Sequence, residues 1–291
     1  MRKGKVEIGE KELDLETTLE VGQTFSWHKT SGENLYTGEG DRYYTTKNGN
    51  VLVLWQEGGD LHYKAAGGME KEMENRLRLH ESLGEIHSDL KGEDRHLDQA
   101  LERYRGLRIV KDDFFPCLIS YLCSPQMRIP RIKKMFDSIA EKYGKKVEFN
   151  GKTFLQFPEV QQLAEASEED LRELGIGYRA KYIVNSVEQI MKGEVDPEDM
   201  ENMDYKDAHQ EIQKLYGVGD KVADCVLLFG LGHLQAFPID TWIRKTVEQH
   251  YPERHSDSYM EIGDSFREWF GDHVGYAQEY LFHHMRKKES A

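Results

Sequence analysis

Over roughly its first hundred residues the chain sets short aromatic and β-branched runs between tight-turn residues. In "NLYTGEGDRYYTTKNGNVLVLWQEGGDLHYKAAG" the punctuation is Gly38-Glu39-Gly40, Asn48-Gly49-Asn50 and Gly58-Gly59-Asp60, the mark of an antiparallel meander. From about Leu97 onward the apolar spacing becomes helical. "DDFFPCLISYLCS" is almost wholly apolar and reads as a buried central helix, whereas "PRIKKMFDSIAEKYG" is amphipathic and closes on a glycine. Ser167-Glu168-Glu169-Asp170 is a helix-start box ahead of Leu171 and Leu174. Further helices are expected over Arg179–Met191, Tyr205–Tyr216, Asp220–Leu231, Thr241–His250, Asp257–Trp269 and Val274–Lys287. The pattern predicts an α+β chain. A small N-terminal antiparallel β-sheet domain spans residues 1–105, and a mostly helical body containing a helix-hairpin-helix spans 106–291.

At 291 residues the chain can bury a full core, and its formal charge of −14 argues against broad, non-specific affinity for nucleic acid. A nucleic-acid reading must therefore rest on a local basic surface. No segment approaches the roughly 18 uninterrupted apolar residues of a membrane span, and the charged start "MRKGKVEIGEKELDLETTLEV" has no signal-peptide core. Cys117, Cys123 and Cys225 are too few for a disulfide framework or a four-cysteine metal or cluster site. The reduced cytoplasm is the expected compartment.

The chemistry concentrates in "LYGVGDKVADCVLLFGLGHLQAFPID". Gly217-Val218-Gly219 joins two helices by a minimal turn; glycines let the backbone approach another surface, and the second helix points free N–H groups outward. That suits a phosphate of any duplex. An ordinary helix-helix turn with a solvated lysine explains the same letters. Lys221, however, stands in the first turn of its helix, where the dipole disfavours a cation and so favours the neutral amine that a nucleophile needs. Cys225 lies four residues on and shares its face. Asp240 precedes "TWIRKTVEQHY" and reads as an N-cap, which is by itself a sufficient role. An amine beside a carboxylate is also what attack at a sugar C1′ requires, the carboxylate facing the positive charge that develops on the ring.

At this point the stretch resembles the helix-hairpin-helix, Gly/Pro-Asp superfamily of base-excision glycosylases, and more closely the 8-oxoguanine DNA glycosylase/lyase family. "GVGDKVADC" and "QAFPID" match the family's catalytic segment. "LDLETTLEVGQTFSW", "LISYLCS", "PRI", "LGIGYRAKYI" and "YAQEYLF" follow in the family's order, so the resemblance runs from about Leu13 to His284. It implies that Lys221 forms a Schiff base, with Asp240 assisting. It implies that the Gly22 carbonyl accepts the N7 hydrogen that distinguishes 8-oxoguanine from guanine. Cys225 and Phe282 would sandwich the extruded base and Gln278 would read its Watson–Crick edge. Tyr178 and Arg179 would wedge the duplex and meet the estranged partner base, with Arg131 as companion. Gly217 and Gly219 would clamp a phosphate. Arg128, Lys133, Lys134 and Lys181 would complete a basic face, the local surface that the overall charge demands. The partner implied is double-stranded DNA with 8-oxoguanine opposite cytosine. The reaction needs no redox cofactor, although the family hairpin commonly holds a monovalent or divalent cation on backbone carbonyls, here near Leu215 and Gly217.

Read without the resemblance, Gln278, Tyr280 and Phe282 fit any amphipathic helix, and Arg131 and Arg179 fit solvated helix ends. The sequence also departs from the vertebrate-type pattern. "SPQMR" replaces three asparagines, which puts Gln126 where an asparagine fills the vacated duplex position, and Trp242 stands where a histidine nears the flipped nucleotide's phosphate. Compactness and the lack of a basic import tract point to a prokaryotic, monomeric member working at the nucleoid. Two rivals remain: a monofunctional alkylated-base glycosylase, disfavoured by Lys221, and a non-catalytic DNA-binding module, which has no use for Lys221 and Asp240 together.

Overall fold

The computed structural model describes residues 2–9, 12–30 and 41–289. The expected Gly38-Glu39-Gly40 turn lies outside them. The N-terminal sheet is antiparallel, with strands β1 (Arg2–Glu7), β2 (His28–Thr30), β3 (Arg42–Lys47), β4 (Asn50–Glu57) and β5 (Asp60–Ala65) in the order β1-β5-β4-β3-β2. Asn48-Gly49 closes β3 onto β4 and Gly58-Gly59 closes β4 onto β5. All four residues have positive φ, as two-residue hairpins that follow the strand twist require.

Strand β4 reads as a continuous apolar run because both of its faces are covered. Leu52 and Leu54 face a core with Leu61, Met69, Met73 and Leu77, while Val51 and Val53 face Val147, Phe149 and Phe154. The second group belongs to a feature that the helical reading beyond Leu97 does not contain. A two-stranded hairpin, β6 (Lys145–Phe149) and β7 (Lys152–Gln156), interrupts the helices and packs on the sheet. Gly49 donates its amide to the Gln156 side chain at 2.7 Å, and Thr46 reaches the Leu155 carbonyl at 3.3 Å. Asn150-Gly151 is its turn, flanked by alternating "KKVEF" and "KTFLQ"; that signal stood in the sequence.

The body is helical. Helices Leu83–Leu90 and Arg95–Arg103, ahead of or astride Leu97, lend Leu83, Ile86, Leu90, Leu97 and Leu101 to its core. Helix Phe114–Leu122 is buried at the centre, with helix Ile129–Tyr143 beside it ending at Gly144. Ser167 and Asp170 form the expected capping box. Helices Arg179–Met191 and Thr241–His250 occupy the expected ranges, and the final two run Tyr259–Phe270 and Val274–Glu289. Two expectations are corrected. Helix Tyr205–Ile212 stops short of Tyr216, and helix Asp220–Val226 widens into a π turn over Leu227–Leu231 before Gly232 ends it at a φ of 86°.

The sheet and the body are joined through the segment that carries Gly22. Gln23 donates to the Thr18 and Arg108 carbonyls at 2.8 and 2.7 Å and accepts from the Val110 amide at 2.9 Å. Thr24 donates to buried Asp112 at 2.7 Å, and Arg76 pairs with the same carboxylate. A buried charge so paired and hydrogen-bonded fixes one arrangement of the chain around it.

Candidate active site

The hairpin runs from Gln213 to Gly219. Gly217 has a φ of 89°, and a Cβ there would lie 2.5 Å from the Tyr182 ring, so only glycine fits. The Val218 amide donates to the Leu215 carbonyl at 3.1 Å, closing the turn, while Gly219 stands exposed at the start of the next helix. Two positions on, Lys221 Nζ donates to Ser124 Oγ at 3.1 Å and lies 4.9 Å from the Tyr121 ring centroid. Tyr121 in turn donates its hydroxyl to the Gln23 carbonyl at 2.9 Å, so the lysine rests on a ring tied to the residue after Gly22.

Cys225 is buried one turn beyond Lys221. Burial pushes its thiol up to about 12 against the pull of the Lys221 charge, which makes it an apolar wall and not a second nucleophile. Asp240 is the N-cap that the sequence predicts: Oδ1 accepts from the Trp242 amide at 2.9 Å and from the Ile243 amide at 2.8 Å. Both bonds fall on one oxygen, leaving Oδ2 outside the cap. Burial raises the carboxyl above its ordinary range, opposed by the Ile243 amide, the Lys221 charge, the Trp242 amide and Arg286. Trp242 is half-buried on the same first turn.

Gly22 has a φ of 104°, and a Cβ on it would fall 2.4 Å from Ile129 Cδ1. Gln278 is buried; its Nε2 donates to the Pro238 carbonyl at 2.9 Å, which ties the last helix to the segment carrying Asp240. Its Oε1 has no hydrogen-bond partner among the described residues. Phe282 is half-buried, with the Arg286 guanidinium 5.0 Å from its ring centroid.

The residues assigned to the partner strand form a second group. Tyr178 is 43% exposed and is covered by the Arg179 guanidinium at 4.4 Å. Arg179 is not the solvated helix end that its position alone suggests. It is buried and donates to the Pro125 carbonyl. Arg131 is exposed and donates to the Gly175 carbonyl at 2.8 Å. Gln126 is exposed with a φ of 58°, a left-handed backbone that a glutamine rarely adopts. The rings of Tyr178, Tyr182 and Tyr216 run from this group to the hairpin, each 5.7 Å from the next. Arg128, Lys134 and Lys181 are exposed and Lys133 is half-buried, and Lys181 Nζ lies 5.4 Å from the Tyr216 ring centroid.

Glu279 escaped the sequence reading, because an acidic residue on an amphipathic helix looks solvated. It is buried, and its Oε1 has no hydrogen-bond partner among the described residues. Burial pushes it up to about 8, with Arg286 pulling down and Asp240 pushing further up. The native state thus keeps a proton that the unfolded chain releases near its ordinary value. The stability this confers is full below about 4.5 and is lost as pH rises toward about 8. Glu279→Gln is expected to remove that dependence, so the variant gains on the parent by a few kcal/mol as pH climbs from about 5 to about 8. Urea midpoints across the window check it; parallel curves for the two proteins would show that Glu279 is not buried as an acid.

Two clefts, of about 510 and about 570 Å³, lie elsewhere. One sits between β3, β7 and helix Ile129–Tyr143 and the other around Glu72, Arg78 and Lys111; neither is lined by Lys221, Asp240 or Gln278. Among the described residues no helix is long and apolar enough to cross a membrane.

A hairpin with a lysine at the head of its second helix, whose charge acts on a capping aspartate, defines a class. Residues 119–272 match the model of the HhH-GPD superfamily of base excision DNA repair proteins. Residues 5–118 match the N-terminal domain of 8-oxoguanine DNA glycosylase. The chain belongs to the 8-oxoguanine DNA glycosylase family within that superfamily. Among its relatives, the probable N-glycosylase/DNA lyase of Methanothermobacter thermautotrophicus is 36% identical over 215 residues, 67% of this chain and 68% of the relative. The N-glycosylase/DNA lyase OGG1 of Arabidopsis thaliana is 30% identical over 93% of this chain and 77% of its own. The Clostridium acetobutylicum 8-oxoguanine glycosylase/lyase, solved with duplex DNA containing cytosine opposite 8-oxoguanine, superposes with a TM-score of 0.85. It is 33% identical over 96% of this chain and 93% of its own.

Proposed function

We propose that this chain is a bifunctional DNA glycosylase/lyase that excises 8-oxoguanine, paired with cytosine, from duplex DNA and then cleaves the strand. The observation that carries the reading is Lys221: its amine rests on Ser124 Oγ and the Tyr121 ring, and its charge acts on the half-buried Asp240 carboxyl. The damaged nucleotide is extruded at a cost of a few kcal/mol. Lys221 Nζ, on giving up its ammonium proton, attacks C1′, and the C1′–N9 electrons leave with the base. The amine's two protons pass to the departing base and to O4′ as the C1′–O4′ bond opens, and a Lys221 imine remains. The imine acidifies C2′; loss of that proton drives out the 3′ phosphate by β-elimination. Asp240 faces the positive charge that grows on the sugar. Its second carboxylate oxygen, free of the cap, suits that task.

Recognition follows from the same placement. The Gly22 carbonyl takes the N7 hydrogen, the unpartnered Gln278 oxygen meets a donor on the base edge, and Cys225 and Phe282 bracket the ring. Tyr178, Arg179, Arg131 and Gln126 attend to the partner strand; Gly217, Gly219 and Trp242 attend to phosphates. A cation on the hairpin would be held by the Leu215 and Gly217 carbonyls. The Leu215 carbonyl has one lone pair in use, for the Val218 amide, and keeps a second. Three free, buried cysteines suit work in the reducing cytoplasm.

Gly22→Ala is expected to destabilise by about 1–2 kcal/mol, because alanine is strained in the left-handed region. Its methyl group also meets Ile129 and displaces the carbonyl, so release of 8-oxoguanine should fall further than stability does. Melting temperature beside single-turnover rates checks it; a parent-like rate would remove the Gly22 carbonyl from recognition. The function itself is tested by borohydride trapping on labelled duplexes with 8-oxoguanine opposite each of the four bases. A covalent adduct, greatest opposite cytosine, supports the reading. Base release without an adduct means a monofunctional glycosylase, and neither product leaves a non-catalytic clamp.

A further inference from the structure

We propose that Ser124 is a positioning residue for Lys221, and that the turn it opens makes the lysine's placement depend on the base in the partner strand. The inference rests on the roles just given to Lys221, Gln126 and Arg179. Ser124 stands where the central helix has ended, and its own proton is committed to the Tyr121 carbonyl at 2.8 Å. The hydroxyl is thereby oriented, with its lone pairs left to accept Lys221 Nζ at 3.1 Å. Ser124 is buried, so little else competes for that position.

The backbone carbonyl of Ser124 accepts from the Met127 amide at 3.0 Å and closes the turn Ser124-Pro125-Gln126-Met127. Proline second and a positive φ third is the type II pattern, in which the third residue is ordinarily glycine. With Gln126 there at 58°, the turn holds backbone strain, which its surroundings must offset. One such restraint is the Arg179 guanidinium on the Pro125 carbonyl. The turn thus has the nucleophile's acceptor at its first residue, a partner-strand arginine fastened to its second, and the amide that fills the vacated stack at its third. Proline fixes φ between the first and third, so the turn moves as a unit. A partner base that draws Arg179 or Gln126 into place sets the turn, and the turn sets Ser124 against Lys221. A misplacement near 1 Å is enough to slow a reaction of this kind markedly.

The test is single-turnover base release from the four partner-base duplexes, by the parent, Ser124→Ala, Ser124→Thr and Pro125→Ala, with duplex affinity measured on a Lys221→Gln background. Ser124→Ala is expected to slow release opposite cytosine about tenfold at unchanged affinity and to compress the spread of rates across the four partners. Ser124→Thr keeps the hydroxyl and should restore both. Pro125→Ala loosens the turn while leaving the hydroxyl, and should compress the spread by itself, so the idea stays testable if Ser124→Ala folds poorly. A parent-like rate and spread in Ser124→Ala overturns the proposal. So does a uniform slowing that preserves the spread, since it would leave Ser124 without any link to the partner base. Borohydride adduct formation by the parent separates the failures: no adduct sinks the glycosylase reading and this proposal with it, whereas an adduct with an indifferent Ser124→Ala sinks this proposal alone.

Discussion

Lys221→Gln is expected to lose base release and borohydride trapping together, by on the order of 10⁴-fold or more, while binding lesion duplex as the parent does. The substitution removes the amine to which the imine is assigned. Little else changes. Glutamine carries an amide that can still donate to Ser124 Oγ, and its apolar stem can still lie on Tyr121. The duplex contacts assigned to the hairpin come from backbone at Gly217 and Gly219, which the side chain does not touch. Gel-shift affinity and single-turnover release on the same duplex decide the matter. Lost affinity with a normal melting temperature would make Lys221 a phosphate contact, and retained base release would make the enzyme monofunctional.

Asp240→Asn is expected to slow base release by about 10²–10³-fold with the fold intact, because a developing cation loses its facing charge. Asparagine is as good an N-cap as aspartate, and its side-chain oxygen can accept the Trp242 and Ile243 amides as Oδ1 does now. Stability should not fall near neutral pH and should rise slightly. The folded-state carboxyl lies above its ordinary value because of burial, so folding disfavours the ionised form, and a side chain that carries no charge escapes that cost. The same shift sets the rate profile. The acid limb of the parent should lie above the usual carboxylate range and should vanish in the variant. An unchanged rate would remove Asp240 from the chemistry, and a collapsed melting temperature would reduce it to a cap.

What the sequence disclosed was local. The hairpin glycines, the lysine in the first turn and the capping aspartate are set by backbone rules within a few residues, and Gly217, Lys221 and Asp240 occupy those backbone places. The Asn150-Gly151 hairpin is equally local, but its signal is set within a stretch whose periodicity is helical. The rest depends on distant partners. Nothing in "GYRAKY" shows that Arg179 is buried against Pro125, fifty-odd residues earlier. Nothing in "SPQMR" shows that Gln126 takes a glycine's backbone conformation. Glu279 reads as a surface acid until the helix is packed and its oxygen proves to be enclosed. Helix Tyr205–Ile212 ends early for a similar reason: Gln189 and Ser186, on a neighbouring helix, take the Tyr216 amide and carbonyl out of the ladder.

The three buried thiols bear on a matter beyond packing. The oxidants that turn guanine into 8-oxoguanine also turn cysteine thiolates into sulfenic acids, so a repairer of such damage meets its own inactivator whenever its substrate is abundant. Burial pushes Cys123 and Cys225 to about 12 and Cys117 well above its ordinary value. Cys225 is therefore held as the thiol at neutral pH, not as the reactive thiolate. The sulfur beside Lys221 is kept in that unreactive form by its exclusion from water, which withholds from an oxidant the thiolate it would attack.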